Sequence, residues 1–219
     1  VHGRSEGLRD SPSSHTNRVE GSKSKVAVEY YGHLNLNHPE IHSDLFFWQQ
    51  SELEARGILL LFGIPSDPLD EKKLLELQEH GIEPLALNPQ ATTLTSAPLF
   101  FPVPEQNRVD SMDSRSVSGS ESAMLRVLLL DYQRQRDFWL NVFKQNEVRL
   151  YVTWFKFDAG HCAIADALQE LDGVTAIYQR AVEFLPSPET AIATDVFFGF
   201  SQEGAKLESQ SNSIIPYYV

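Results

Sequence analysis

The sequence predicts an α/β protein, a three-layer Rossmann-like fold with a mostly parallel sheet, on two observations. Strand-like and helical periodicities alternate along the chain, and the strand segments are apolar almost throughout, as strands covered on both faces are. In the N-terminal half, 26–31 is a strand, 43–54 a helix, 57–62 a strand, 70–80 a helix and 82–87 a strand, with any further strand before 101 short or on an edge. In the C-terminal half the Ser118 to Glu121 spacing of a capping box opens a helix of about 25 residues. Its apolar stripe is Leu125, Leu128, Leu129, Tyr132, Trp139, Val142 and Phe143. A strand at 148–155 and a helix at 161–171 follow, the helix stopped by Gly173. Strands at 174–178 and 193–200, a short helix capped by Ser201, and a last strand at 214–218 complete the pattern. There is no internal repeat.

Composition divides the chain into a flexible tail at 1–25, an N-terminal α/β portion at 26–101, a loop or linker at 102–120 and a C-terminal α/β portion at 121–219. The tail and the linker are too poor in apolar residues to offset their ordering entropy. The 30 acidic residues against 18 basic ones leave a net charge of −12, which disfavours a nucleic-acid backbone or an anionic membrane as partner. Cys162 is the sole cysteine, so no disulfide closes within the chain. No apolar run reaches the ~18 residues that span a bilayer, and the opening residues lack the apolar core of a signal peptide. A reducing, cytoplasmic location without a transmembrane segment is the expectation, with homo-oligomerisation open.

In an open parallel sheet, ligands bind beyond the carboxyl ends of the strands. The loop at 32–44 follows the first strand and carries His33, Asn35, Asn37, His38, Glu40, His42 and Asp44. These side chains order the loop, touch a ligand or bind a metal; the spacing matches no standard zinc signature, and Pro39 interrupts a regular helix. After the strand at 148–155 come Lys156, Asp158 and His161. Asp158 is placed to cap the next helix. His161 sits in its first turn, where the helix terminus favours an anion and a neutral imidazole able to exchange a proton. Lys156 either joins that anion site or pairs with Asp158. After 174–178, Arg180 is placed either to clamp a diphosphate or carboxylate beside Tyr178 or to pair with Glu183 or Glu189.

The candidate catalytic residues are therefore His161, His33 and Asp158, and the candidate substrate-binding residues Lys156, Arg180, Tyr178, Asn37 and His38. Trp154, Phe155 and Phe157 suit stacking on a sugar or base but equally a core. No G-x-G-x-x-G, P-loop or C-x-x-C motif occurs, and neither a cofactor nor a metal is expected. Adjacent helical positions diverge, which argues against a Cys162–His161 nucleophilic pair. Glu29 is the one acid in 26–31, short of the acidic cluster that a response-regulator-like module would carry there.

The stretches VEYYGHLNLNHPEIHSDLFFWQQ, VTWFKFDAGHCAIADAL and IYQRAVEFLPSPETAIATDVFFGFS, with the tail SIIPYYV, resemble bacterial surface-polysaccharide biosynthesis proteins of glycosyltransferase type. That group is built from two Rossmann-like domains. The resemblance covers about 26–219 except the variable loop. It implies glycosyl or glycosyl-phosphate transfer, with a nucleotide-sugar or phosphorylated sugar as donor and a carbohydrate as acceptor. It also implies a second, donor-binding domain after position 219, so that this chain supplies the acceptor half. The alternative is a non-catalytic sugar- or nucleotide-binding or assembly domain of the same fold, which needs no base.

Overall fold

The computed structural model describes residues 24–38, 43–48, 51–102, 119–156, 158–181 and 185–219. Residues 1–23 of the tail, nearly all of the linker, Glu40, His42, Ser118, Phe157 and Glu183 lie outside the described residues, while Lys25, at the end of the expected tail, opens the first strand.

Among the described residues seven strands form one sheet: β1 (Lys25–Glu29), β2 (Ile58–Phe62), β3 (Glu83–Ala86), β4 (Val148–Thr153), β5 (Val174–Tyr178), β6 (Val196–Phe198) and β7 (Tyr217–Tyr218). Their order is β3-β2-β1-β4-β5-β6-β7 and every pairing is parallel. The chain steps outward from β1 to β3, returns to β4 beside β1, and then steps outward the other way. The crossovers therefore diverge between β1 and β4, the topological switch point.

Among the described residues four helices, α1 (Glu71–His80), α2 (Gly119–Gln145), α3 (Gly160–Gln169) and α4 (Gln202–Gln210), accompany the sheet. Strand alternation sorts the core into two layers. Val28, Leu60, Phe62 and Ala86 point toward Leu77 of α1, while Ala27, Leu59, Leu61 and Tyr151 meet Val142 and Phe143 of α2 and Ile164 and Leu168 of α3. β2 is buried at every position because it faces both layers. On the α1 side of β4 to β6, an apolar cavity of about 700 Å³ is bordered by Phe46, Leu150, Val152, Ala176, Tyr178 and Phe198.

Local signals explain the element ends. Asp70 accepts from the Lys73 amide to start α1, and Gly81 closes it in the left-handed conformation at φ 73°. Ser201 accepts from the Gly204 amide to start α4. Gly173 acts otherwise than expected. The left-handed residue after α3 is Asp172 (φ 53°), whereas at Gly173 a β-carbon would stand 2.6 Å from Leu168 Cγ and 2.9 Å from the Arg149 carbonyl oxygen. Glycine is required there for room.

The helix expected at 43–54 does not form among the described residues, which make isolated turns there and a 3-10 turn at Ala55–Gly57. Asp44 is buried, and its Oδ2 accepts from the amides of Tyr31 (2.7 Å) and His33 (3.1 Å). The Asp44 amide in turn donates to the His33 carbonyl (2.8 Å). This clasp fixes the chain after β1, and i to i−3 bonds such as Trp48 N–H to Leu45 replace the helical ladder.

Candidate functional site

A cleft of about 250 Å³ opens where β1 and β4 end, at the switch point. β1 contributes its last residue, Glu29, and Tyr31 just beyond it; β4 contributes Tyr151 and Thr153, which alternation turns to the same face. α2 supplies Gln135 and Trp139. Phe155, Asp158, Gly160, His161 and Ile164 complete the wall. Trp139 is held between the Phe143 ring (5.5 Å between centroids) and the Tyr151 ring (5.8 Å). At Gly160 a β-carbon would stand 3.2 Å from Gln135 Oε1, so glycine lets α3 start close to α2.

Glu29 is the electrostatic centre. Its Oε2 accepts from the hydroxyls of Tyr31 and Tyr151 and, at 3.4 Å, from Thr153; Tyr31 and Thr153 also share a 3.1 Å contact. Burial pushes the Glu29 carboxyl above the ordinary carboxylate range. The three hydroxyl donors act against that shift, and the nearby Asp158 charge adds to it. Burial and the Glu29 charge likewise hold the Tyr31 and Tyr151 phenols well above their usual value.

His161 and Asp158 share this cleft, as expected for neighbours at a helix start. Asp158 Oδ1 accepts from the Gly160 amide at 2.9 Å, although the capping position itself is Ala159, whose side chain makes no cap bond. Burial holds the His161 imidazole below its ordinary value, so it is neutral around pH 7. Its Nδ1 bonds the Asp158 carbonyl and its Nε2 lies 3.3 Å from Cys162 Sγ, so both ring nitrogens are engaged. The two neighbours thus do meet, against the expectation from helical spacing. Burial pushes the thiol up, with the Asp166 charge adding to it, so the thiolate of a nucleophilic pair is disfavoured.

The remaining candidates sit elsewhere. Lys156 is buried and gives its ammonium to Glu208 Oε1 of α4 at 2.6 Å, and its Nζ lies 5.2 Å from the Phe197 ring centre. The pairing with Asp158 weighed from the sequence is replaced by this one, because α4 returns an acid to the same buried place. Tyr178 turns to the opposite sheet face, where its ring meets Phe46 at 4.9 Å and borders the apolar cavity. Arg180 is exposed at the rim, its guanidinium 4.8 Å from the Trp154 ring centre, and Trp154 in turn contacts the Tyr31 ring at 4.9 Å. His33 belongs to the Asp44 clasp. Asn37 and His38 are exposed on the same loop, where the His38 amide donates to Asn35 Oδ1 (3.1 Å), and neither borders the cleft.

Sequence reasoning missed Glu29, Tyr31, Tyr151, Thr153, Gln135 and Trp139 as a set. One signal was present: Glu29 is an acid that follows the apolar run Val26, Ala27, Val28 at the end of the first strand, the position from which a parallel sheet presents groups to a ligand. Compared with protein-family models, curated proteins and solved structures, the chain gives no match.

Proposed function

We propose that this chain is the acceptor-side domain of a glycosyl (or glycosyl-phosphate) transferase of bacterial surface-polysaccharide assembly, working in the cytoplasm, and that the switch-point cleft holds the acceptor sugar. The observation that carries this reading is the make-up of the cleft wall. The half-buried rings of Trp139 and Phe155 stand beside a carboxyl, an amide and a hydroxyl from Glu29, Gln135 and Thr153. Sugars present exactly these two needs, an apolar C–H face that packs on aromatic rings and hydroxyls that exchange hydrogen bonds. Arg180 at the rim suits the acidic part of a donor, since an exposed guanidinium takes phosphate oxygens in a bidentate way. Electrostatic stabilisation of the departing phosphate is then the main contribution the rim makes to transfer.

A second reading, carbohydrate binding without turnover, is favoured by two specific findings. Both ring nitrogens of His161 are engaged and Lys156 is committed to Glu208, which removes two groups that the sequence offered to the chemistry.

Calorimetric titration with methyl glycosides tests the common ground. Trp139→Ala should weaken binding by roughly 10-fold or more through loss of the stacking face. Absence of saturable saccharide binding by the wild-type chain would overturn both readings. A panel of nucleotide-sugar and phosphorylated-sugar donors, added to the bound acceptor, separates them: transfer supports the first and binding alone the second.

A further inference from the structure

Glu29 differs from the other polar groups of the cleft in how its two oxygens are used. Every hydrogen bond it makes among the described residues falls on Oε2, from Tyr31, Tyr151 and Thr153, and Oε1 accepts none. The residue nevertheless borders the cleft. Oε1 is not a fully buried atom, so it opens to the cleft, where a ligand hydroxyl that donates to it takes the place of water. The three hydroxyls fix the carboxyl plane through Oε2, so Oε1 is presented in a set orientation. His161, by contrast, has no ring nitrogen left to offer.

We propose that Glu29 is the group that receives the acceptor hydroxyl, its Oε1 accepting the hydroxyl's hydrogen bond and, in a transfer step, its proton. This rests on the carbohydrate reading above. In the transfer step the hydroxyl proton moves to Oε1 while the hydroxyl oxygen attacks the anomeric carbon of a sugar bearing a phosphate or diphosphate. The new C–O bond forms as the bond to the leaving oxygen breaks, the leaving group keeps the electron pair, and Glu29 returns its proton to water. A carboxyl held above the ordinary range by burial is a stronger base than an exposed one, which suits that task. The titratable groups facing it are Tyr31 beyond β1, Tyr151 on β4, and Asp158 and His161 at the start of α3.

The test uses the full chain and two kinds of probe, methyl glycosides of glucose, galactose, mannose and N-acetylglucosamine and their monodeoxy analogues, titrated across a pH series. A hydroxyl donates best to the ionised carboxylate, so affinity for the parent glycoside should rise with pH through the Glu29 titration and then level. The analogue lacking the received hydroxyl should bind roughly 10- to 100-fold more weakly without that rise. Glu29→Gln should weaken the parent glycoside to about the level of that analogue and abolish the pH dependence. Where Glu29→Gln does not fold, the comparison of parent and deoxy probes on the wild type decides alone. An identical pH dependence for both probes, or its persistence in Glu29→Gln, would assign the titration to another group of the cleft and overturn the role of Glu29 while leaving carbohydrate binding intact. Absence of binding by any glycoside would remove the carbohydrate reading and this role together.

Discussion

Replacing Lys156 by Met separates a structural lysine from a ligand-binding one. The Lys156 and Glu208 side chains are each 5% exposed and meet at 2.6 Å. Glu208 Oε2 accepts from the Ser213 hydroxyl at 2.6 Å. The pair fastens the segment after β4 to the end of α4, and the Lys156 ammonium lies over the Phe197 ring at 5.2 Å. Methionine keeps most of the aliphatic volume, so packing changes little, but the carboxylate is left in a buried place without its cation. Breaking one side of a buried pair costs about 3–5 kcal/mol, whereas replacing both members by apolar residues is often nearly neutral. For a chain of this size each kcal/mol moves the melting temperature by about 2–4 °C, so Lys156→Met should melt roughly 6–20 °C lower. Lys156→Met combined with Glu208→Leu should recover most of that loss. Differential scanning calorimetry with urea unfolding reads both. A single variant within about 1 kcal/mol of wild type that loses saccharide or sugar-phosphate binding would refute the reasoning and return Lys156 to the ligand site.

Three further outcomes follow from the same geometry. Because the folded Glu29 carboxyl holds its proton more tightly than the unfolded one, its contribution to stability is full below the unfolded value and is lost as pH rises through the folded value. Urea unfolding from about pH 4 to 9 should therefore show Glu29→Gln gaining stability relative to wild type as pH rises, and a flat or falling difference would contradict this. Gly173→Ala places a β-carbon 2.9 Å from a backbone carbonyl that has little freedom to move. It should cost about 1–3 kcal/mol by chemical denaturation; an unchanged midpoint would show that the α3–β5 turn yields. At Gly199 a β-carbon would stand 1.7 Å from the Tyr218 hydroxyl, which donates to the Ser201 carbonyl at 3.0 Å. Gly199→Ala should speed hydrogen exchange at the Val219 amide, bonded to Phe197, while protection in β1, β2 and β4 stays as in wild type. Unaltered exchange at Val219 would mean that Tyr218 moves aside without releasing β7.

The sequence by itself determined the class of fold and most of its elements, because those depend on neighbours within a few residues. The strand at 174–178 was legible to its ends, and Asp70 and Ser201 marked the starts of α1 and α4 by chemistry that reaches only three residues ahead. The parallel arrangement of β4, β5 and β6 followed from helices that lie between most of the strands and from strands apolar on both faces. The residues from 43 onward misled for the complementary reason: their apolar spacing suits a helix, but Asp44 is claimed by amides 11 and 13 residues earlier. Lys156 read as a rim residue because it follows a strand, and only the return of α4, 52 residues later, buries it against Glu208. The candidate site is the extreme case. Tyr151 and Thr153 reach Glu29 across 122 and 124 residues, through the placement of β4 beside β1. Periodicity specifies which face of a strand a side chain takes; which strands become neighbours is decided by how the crossovers pack, and so the carboxyl, the hydroxyls and the aromatic walls become one cleft only in the tertiary structure.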